Sequence, residues 1–559
     1  MRGYLKKNTN PLAHYVAQLE QRGELLRVSA QVSPAFEMAE IVDRCSKDPA
    51  RNKALLFANN GTQFPVLMNM MGSEARMCAA LGVQQLDDVR QRIESFFDQI
   101  VSPKITLWDK LKLLPTLQQA SQWLPRHSRA AAPCQQVVMP TPNLDLLPIT
   151  TSWEHDGGRF ITLPMVHTQD LQTGIRNVGM YRMQVLDAAA TGMHWHKHKT
   201  GARHFAQYQA AGQQMPVVVT LGGDPIYTYC ATAPLPDGVD EYLLAGFLRS
   251  RAVRLVRCIT QPIYVAADVD FVIEGYIDPH EDLTLEGPFG DHTGFYSLPD
   301  YYPRFHITAI THRRDAIYPA TLVGVPPQED AWMAKASERI FLAPIRKALL
   351  PEVLDMNMPP QGVMHNLALV KICKTYEGQA LKVANALWGA GQMMLNKILV
   401  VTSQNVDIQN FKNFWTIAEQ HFDPTKDIYF GKGPLDVLDH AAQQCGYGGK
   451  LCIDLTAEHA APPTPLFALV HKGDPAATAR VVVTFDADVN TSNLPRCLWL
   501  LGNNIDPERD CKVIDGQLHV DATSKLPSQN PAYTREWPTI AASSQAVQEA
   551  VDRIALPIL

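Results

Sequence analysis

The sequence predicts an α+β protein with three domains: an N-terminal α/β domain (1–135), a central antiparallel barrel-like sheet (136–325) and a C-terminal α/β domain (326–559). Three observations predict this organisation. The chain has 559 residues, which is more than one hydrophobic core supports. Four prolines between Pro133 and Pro148 mark a hinge, after which short β-branched and aromatic runs replace an α/β pattern. The α/β pattern returns after residue 330.

The N-terminal domain combines helix and strand patterns. Leu12, Val16 and Leu19 recur at helical spacing and predict a helix. The apolar runs 54–57 and 65–68 are short and predict strands.

The central domain contains five short runs of β-branched and aromatic residues. Turn residues separate them at close spacing, which is typical of an antiparallel barrel-like sheet. The runs are 161–166, 217–220, 263–266, 271–276 and 305–310.

The C-terminal domain starts with a strand at 367–372, a helix at 378–395 and a strand at 397–402. Its later part resembles its earlier part. Val-Val-Thr at 400, Asp-Pro at 423 and a Leu-x-x-Asp-x-Thr pattern at 451 recur in the same order at 482, 506 and 518. We interpret 462–525 as a degenerate repeat of the preceding unit, with chance similarity between strand-rich segments as the alternative.

Composition excludes several functional classes. The net charge is −6 and no basic block is present, which disfavours nucleic-acid binding. Ten cysteines are scattered without a C-x-x-C pair, which argues against a zinc knuckle and a disulfide framework. The N-terminus lacks the apolar run of a signal peptide, and no apolar stretch reaches the length of a membrane span. We therefore expect a cytoplasmic protein without transmembrane segments.

Two short segments carry a cation and two acids. Arg182 ends the segment 177–182, while Glu286 and Asp291 bracket Gly-Pro-Phe-Gly. An arginine can hold a substrate carboxylate, and a carboxyl group can donate or accept a proton. We expect one acid to have a raised pKa because it is buried beside a ring, and Arg182 to pair with the other. The alternative is an arginine on a surface strand and a plain glycine-rich turn.

His194, His196 and His198 alternate along the chain, so they would share one face of a strand. Three parallel side chains rarely converge on one zinc ion, and polar histidines at the rim of a sheet are the simpler interpretation. Glu241 follows Asp-Gly-Val-Asp and begins a predicted helix, where a carboxylate already suits the helix dipole.

The segments 177–182 and 286–291 resemble the signature of the UbiD-type decarboxylases. The similarity is to the branch of 3-polyprenyl-4-hydroxybenzoate and menaquinone-biosynthesis decarboxylases. It implies that the central domain is a flavin-binding split β-barrel. Decarboxylation needs an electron sink, and no side chain supplies one, so a cofactor must do so. The resemblance implies that the cofactors are prenylated FMN, Mn²⁺ or Mg²⁺ and K⁺.

The resemblance also assigns residues. The catalytic residues would be Arg182, Glu286 and Asp291. The metal ligands would be Asn177, His198 and Glu241, an oxygen and nitrogen set that suits Mn²⁺ or Mg²⁺. The cofactor-binding residues would be Asn177, Met180, Tyr181, Arg182, His194, Trp195, His196, His198, Lys199, Glu241 and Lys397.

The function implied is reversible, non-oxidative decarboxylation of an aromatic or α,β-unsaturated carboxylic acid in ubiquinone or menaquinone biosynthesis. A flavin prenyltransferase would supply the cofactor, and a prenylated substrate would bring peripheral contact with a membrane. The alternatives are a non-catalytic FMN-binding scaffold and a histidine-based metallohydrolase.

The C-terminal sequence predicts that the chain associates with other copies of itself. Ser543 or Ser544 can cap a helix that carries Val547, Val551 and Ile554 on one face, and apolar residues 557–559 follow. Such a tail needs an apolar surface, on its own chain or on a neighbour. We expect a homo-oligomer.

Overall fold

A computed structural model of the chain describes residues 10–101, 114–443, 448–457, 459–533, 535–554 and 556. The chain divides into two compact units. The first contains Met1–Val89, Ser95–Met333 and Ile540–Leu559, and the second contains Arg90–Glu94 and Ala334–Thr539. The last twenty residues therefore belong to the first unit. The boundaries predicted at 135 and 325 stay a prediction.

The α-helices are Pro11–Gln21, Glu37–Lys47, Glu74–Leu81, Asp87–Val101, Leu114–Ser121, Thr200–Ala211, Pro225–Thr232, Glu241–Arg249, Glu329–Pro344, Gln379–Trp388, Phe411–His421, His440–Gln443, Leu494–Asn504, Pro507–Asp510 and Gln545–Asp552.

The strands are β1 Leu25–Gln31, β2 Ala54–Asn59, β3 Val66–Met68, β4 Arg126–His127, β5 Val137–Val138, β6 Phe160–Ile161, β7 Met165–Gln169, β8 Arg176–Met180, β9 Met183–Asp187, β10 Ala190–Met193, β11 Met215–Leu221, β12 Arg254–Arg257, β13 Tyr264–Ala266, β14 Phe271–Ile277, β15 Thr284–Glu286, β16 Asp300–Tyr302, β17 Arg304–His312, β18 Tyr318–Pro319, β19 Val353–Asn357, β20 Leu367–Ile372, β21 Ile398–Thr402, β22 Ile428–Gly433, β23 Gly448–Leu455, β24 Phe467–His471, β25 Val481–Phe485, β26 Cys511–Ile514 and β27 Gln517–Asp521.

The main sheet of the first unit has nine strands in the order β6-β9-β10-β17-β14-β11-β7-β8, with β5 paired to β17. Strand β8 lies at one edge, and β9 lies beside the other edge. Only Tyr181 and Arg182 connect these two strands. Three residue steps span about 10 Å of extended chain, so the two edges of the sheet must approach each other. The sheet is therefore curled into the barrel-like form that the sequence predicts, with a seam between β8 and β9.

One face of strand β11 in the curled sheet is apolar. Met215, Val217, Val219 and Leu221 alternate along β11 and join the main hydrophobic core of the first unit. These β-branched and long apolar side chains fit a pleated, buried surface, which explains why this run forms a strand. A smaller sheet in the order β1-β2-β3-β18 contributes Val28, Leu55 and Val66 to the same core.

The second unit contains two sheets. The first has the order β19-β20-β21-β23-β22, and the second has the order β24-β25-β27-β26. Strand β20 begins and ends at the residues predicted from the sequence, and β21 begins one residue later than predicted. The predicted helix at 378–395 is shorter, because the helix ends at Trp388 and a 3₁₀ turn covers Gly391–Leu395. The duplication stays a prediction.

The C-terminal helix Gln545–Asp552 packs on the first unit of its own chain. Ser544 occupies the N-cap position without a side-chain hydrogen bond, Val551 is fully buried and Ile554 packs against the core. The apolar residues 557–559 lie outside the described residues. Across the described residues, no helix has both the length and the apolar character needed to traverse a membrane.

Candidate active site

Arg182 lies at the seam of the curled sheet. It is the second of the two residues that connect β8 to β9. Gly179 makes this turn possible, because Tyr181 folds back so closely that a Cβ on Gly179 would lie 2.4 Å from the Tyr181 hydroxyl. The segment thus sends Arg182 into the first unit, where its side chain is only 8% exposed.

Arg182 binds both acids that the sequence singles out. Its Nε and Nη2 donate to the two carboxylate oxygens of Glu286 at 2.9 and 3.0 Å, a bidentate arrangement. Its Nη1 donates to Asp291 Oδ2. Nη2 also donates to Ser297 Oγ at 3.0 Å, and the guanidinium carbon lies 4.8 Å from the centre of the Phe289 ring. One cation therefore holds two carboxylates that follow it by more than one hundred positions.

The two acids have low pKa values, which corrects the sequence prediction. Burial raises the pKa of Glu286, but Arg182 and His194 outweigh it and lower that pKa to about 2. Burial also raises the pKa of Asp291, but Arg182 and His292 hold it well below its usual range. The predicted raised pKa of one acid is wrong for this arrangement, because Arg182 pairs with both acids and not with one.

The loop that carries these acids is fastened by backbone contacts. Gln184 on β9 accepts from Gly287 N at 2.7 Å and donates to Gly157 O at 2.7 Å. Asp156 accepts from Gly290 N at 2.8 Å. A Cβ on Gly157 would lie 2.4 Å from Gly287 O, so only glycine permits this approach. Gln184 and Asp156 therefore hold the backbone of the loop that carries Glu286 and Asp291.

The three histidines do not form one face of a strand, because β10 ends at Met193 and residues 194–198 form a loop. His194 Nδ1 lies 2.9 Å from Glu286 Oε2, and its Nε2 lies 2.6 Å from His196 Nε2. Burial and Arg182 lower the pKa of His194, so its ring is neutral. His198 is exposed, with its ring centre 5.7 Å from that of His196. His196, His194 and Glu286 therefore form a hydrogen-bonded row, and His198 contacts this row only through the His196 ring.

Asn177 and Glu241 are neighbours. Val178 N, next to Asn177 on β8, donates to Glu241 Oε2 at 2.8 Å. Glu241 is the first residue of its helix, and burial raises its pKa to about 7. In the part of the chain that the structure describes, Asn177 Nδ2 is buried without a hydrogen-bond partner. The buried Glu241 carboxylate and the amide oxygen of Asn177 are ligands that suit a cation, while the unpaired Asn177 Nδ2 remains a donor for an acceptor atom of a bound group.

The remaining predicted cofactor residues separate into two groups. Met180 is the last residue of β8, Tyr181 follows it at the seam, and the Trp195 ring contacts the Tyr181 ring. Lys199 precedes the helix Thr200–Ala211. Trp195 Nε1 is a second buried donor that has no partner among the described residues. Lys397, in contrast, belongs to the second unit, where it is fully buried with its ammonium 2.5 Å from Asp439 Oδ2 and 2.8 Å from Gly502 O.

Several residues of the site were not singled out from the sequence. Ser297 binds Arg182, and His292 Nδ1 lies 3.0 Å from Asp291 Oδ1. Tyr302 packs its ring 4.3 Å from that of His194, and burial raises its pKa to about 12. His292 directly follows the recognised segment, so its position was a usable signal. Ser297 and Tyr302 have no local pattern that distinguishes them from loop residues.

Sequence profiles of one family match most of the chain. They describe the UbiD N-terminal domain at 16–96, its Rift-related domain at 126–326 and its C-terminal domain at 331–455, each under the description 3-octaprenyl-4-hydroxybenzoate carboxy-lyase. An uncharacterised protein of Aquifex aeolicus is 44% identical, covering 80% of this chain and 92% of the relative. One from Helicobacter pylori is 35% identical, covering 96% of this chain and 94% of the relative.

Solved structures have the same fold. The closed form of vanillic acid decarboxylase from Sedimentibacter hydroxybenzoicus has a TM-score of 0.70 at 25% identity, covering 82% of this chain and 94% of that one. The UbiD-class enzyme HmfF from Pelotomaculum thermopropionicum, in complex with FMN, has a TM-score of 0.66 at 24% identity, covering 81% of this chain and 95% of that one.

Proposed function

Because this chain belongs to the UbiD family of carboxy-lyases, we propose that it decarboxylates an aromatic or α,β-unsaturated carboxylic acid without net oxidation, using prenylated FMN. The observation that carries the proposal is the buried Arg182 with Glu286 and Asp291 on one guanidinium. A fixed guanidinium with an adjacent acid can bind a carboxylate and then deliver a proton to the carbon that loses CO₂.

Each residue has a distinct role in the proposal. Glu286 holds Arg182 from two sides and is itself held by His194, so it orients the guanidinium. The substrate carboxylate competes with Asp291 for the Nη1 side of Arg182. When the substrate carboxylate pairs with Arg182, the guanidinium lowers the pKa of Asp291 less strongly, and Asp291 gains a proton. His292, beside Asp291 on the other side, is placed to pass that proton.

The proposed cofactor fits the chemistry of the residues present. Bound prenylated FMN supplies the electron sink that no side chain here provides. Asn177, Glu241 and His198 would hold Mn²⁺ or Mg²⁺ through oxygen and nitrogen atoms, with K⁺ as a further ion. The unpaired donors Asn177 Nδ2 and Trp195 Nε1 could bind acceptor oxygens of the cofactor. Met180, Tyr181, His194, His196 and Lys199 complete the proposed lining. Lys397 is left out of it, because Asp439 and Gly502 already engage its ammonium.

One surface feature favours an acid with an apolar substituent. The ribbon β15–β16 carries Glu286 and also exposes Leu285 and Tyr301, which are 52% and 61% accessible. Leu283 and Leu298 flank it and are also exposed. Such a surface supports a polyprenylated aromatic acid of ubiquinone or menaquinone biosynthesis. A panel of acids with and without a prenyl chain tests this, and equal kcat/KM for both would contradict it.

The proposed function also includes a cytoplasmic location, a source of the cofactor and an oligomeric state. All nine cysteines that the structure describes are unpaired, which fits a reducing cytoplasm. A flavin prenyltransferase would supply the cofactor, and the chain would act as a homo-oligomer.

The proton-donor role is tested with Asp291→Asn, which keeps size but cannot donate an acidic proton. We expect the bound-flavin spectrum to remain and turnover to fall by about 10²-fold or more. Asp300→Asn is the matched control, since Asp300 lies opposite Glu286 in the backbone register of the ribbon, is exposed and accepts from the N–H of Tyr301. Wild-type turnover in Asp291→Asn would remove this residue from the mechanism.

The metal site is tested separately with Glu241→Ala. We expect the purified variant to contain less Mn²⁺ and less flavin, because the only carboxylate of the proposed set is lost. Metal analysis and the flavin absorbance measure both quantities. Unchanged metal and flavin contents would show that Asn177, His198 and Glu241 are not the metal ligands.

A further inference from the structure

Four strands of the first sheet of the second unit have the topology of the second sheet, and β19 is an additional edge strand of the first sheet. In the first, β20, β21 and β23 are parallel and β22 is antiparallel to β23. In the second, β24, β25 and β27 are parallel and β26 is antiparallel to β27. Chain order and strand directions agree at every step. We call residues 367–456 the first copy and residues 462–525 the second copy.

Local details recur at a constant distance along the chain. Strand β25 and the helix Leu494–Asn504 each begin 83 positions after β21 and the helix Phe411–His421. Both helices have an asparagine N-cap, Asn410 and Asn493, whose side chain accepts backbone N–H groups. After each helix, an aspartate N–H donates to the carboxylate four residues later at 2.7 Å, in Asp423–Asp427 and in Asp506–Asp510.

The two copies touch each other reciprocally. Arg480, immediately before β25, is 2% exposed and donates to Phe422 O and Glu419 O at 2.7 Å each, at the end of the first copy's helix. Lys397, immediately before β21, donates to Gly502 O at 2.8 Å, at the end of the second copy's helix. Arg480 follows Lys397 by 83 positions, and Gly502 follows Glu419 by 83. A cation at a helix C-terminus is stabilising, and here each copy supplies it to the other.

A second pair of contacts repeats this exchange. Gly449 in β23 lies so close to the second copy that a Cβ would be 2.2 Å from Glu508 N. Gly516 follows Gly449 by 67 positions, as Leu518 follows Leu451 in the recurring Leu-x-x-Asp-x-Thr pattern. It faces Thr425 of the first copy, with the Thr425 methyl in ordinary contact at 3.9 Å from the position of a Cβ. Thr425 and Glu508 are again 83 positions apart. In a two-fold, isologous interface, residue i of the first copy contacts residue j of the second, and residue j of the first contacts residue i of the second.

We propose that residues 462–525 are a second copy of the preceding unit that covers the first copy as another subunit would across a two-fold axis. The covered face, formed by Lys397, Gly449 and the end of the helix Phe411–His421 with Thr425 at its exposed rim, is a subunit-association surface. Its partner is a second copy of the same unit, here supplied by the same chain. Covalent linkage makes this partner the favoured one, because its effective concentration exceeds that of any free chain.

Deleting residues 462–525 from the full chain tests the proposal. The exposed face then meets the same face of another chain, with Lys397 of each reaching Glu419 O of the other and Gly449 facing Thr425. We expect light scattering to show twice as many chains per particle as in the intact protein. A folded, flavin-containing deletion variant with an unchanged number of chains would overturn the proposal.

A substitution in the deletion variant shows which face associates. Thr425→Arg adds a large side chain at an exposed position that must face Gly449 of the other chain, so the doubling should disappear. Thr375→Arg is the control, since Thr375 is exposed and bonds to Gln379 within its own copy. Doubling that persists in Thr425→Arg would contradict the assigned surface.

The intact chain provides an independent test if the deletion variant fails to fold. Arg480→Met removes the cap of the first copy's helix, and Lys397→Met removes that of the second. Hydrogen exchange measured by mass spectrometry should rise about tenfold or more at 416–422 in Arg480→Met and at 499–505 in Lys397→Met, the usual effect of losing a charged hydrogen bond. Loss of protection confined to the substituted residue's own copy would overturn the reciprocal arrangement.

Discussion

Arg182, Glu286 and Asp291 form a group with one positive and two negative charges. Both carboxylates are ionised, because the guanidinium outweighs the effect of burial on their pKa values. A substrate carboxylate would add a third negative charge to a site that is largely closed to water. The simplest way to restore the balance is protonation of Asp291, which also prepares the acid that the reaction needs.

We therefore expect binding of a non-reacting aromatic acid to the flavin-loaded enzyme to take up about one proton per site near pH 7. Titration calorimetry in buffers of different ionisation enthalpy measures this number. Asp291→Asn should bind the same acid with no proton uptake, while Asp300→Asn should behave as the wild type. Binding of the acid to the wild type without proton uptake would contradict the exchange of partners at Arg182.

In the first unit, Asp270 lies just before β14 and forms hydrogen bonds with three other segments. Its carboxylate accepts from Gly223 N at 2.7 Å, from Ile317 N at 3.0 Å and from Asn10 Nδ2 at 2.9 Å. Asn10 also caps the helix Pro11–Gln21 through its oxygen. Burial raises the pKa of Asp270 to about 6 despite these bonds. This buried carboxylate therefore links the first helix to the main sheet.

The raised pKa has a definite sign for stability. The unfolded pKa of aspartate is about 3.9, so the folded state favours the protonated form. The resulting stabilisation is complete below pH 4 and is lost as the pH rises through about 6. Relative to Asp270→Asn, the wild type should lose about 2 kcal/mol of unfolding free energy between pH 4 and pH 7. Calorimetry of both proteins at the two pH values measures this change, and a constant difference between them would contradict it.

At the scale of the whole chain, the C-terminal segment contacts the loop that contains Asp291. Ala541 N donates to Gly294 O at 2.9 Å, and Ile540 forms a β-bridge with Phe295. A Cβ on Gly290 would lie 2.8 Å from the Ala541 Cβ. The following helix is held by the buried Val551 and by Arg44, whose Nη1 lies 2.6 Å from Asp552. The last residues of the chain thus support the loop that contains Asp291.

A chain that ends at Thr539 should therefore lose turnover by about tenfold or more, because small displacements of a catalytic group are costly. A chain that ends at Ile554 should keep wild-type turnover. Activity assays with circular dichroism as a folding check distinguish the two, and equal turnover in both would contradict the supporting role. Light scattering of the same proteins tests the predicted homo-oligomer, which is contradicted if the wild type and both shortened chains are monomers.

Local sequence was sufficient for many elements and for the central residues of the site. Hydrophobic runs bounded by turn residues located β11, β14, β20 and β21, because strand formation there follows from side chains near in sequence. The resemblance of 177–182 and 286–291 to one family identified Arg182, Glu286 and Asp291. The histidine pattern misled, since alternation implies a common face only on a strand, and residues 194–198 form a loop.

Other properties depended on how distant segments meet. One acid was predicted to have a raised pKa, but the pKa values of both Glu286 and Asp291 are lowered, because both acids reach one guanidinium more than one hundred residues away. Ser297, Gln184 and Asp156 joined the site through contacts that no local pattern announces. The exchange of helix caps between Lys397 and Arg480 likewise follows from packing. Periodicity is set by neighbouring residues, whereas burial and charge pairing are set by which surfaces the folded chain brings together.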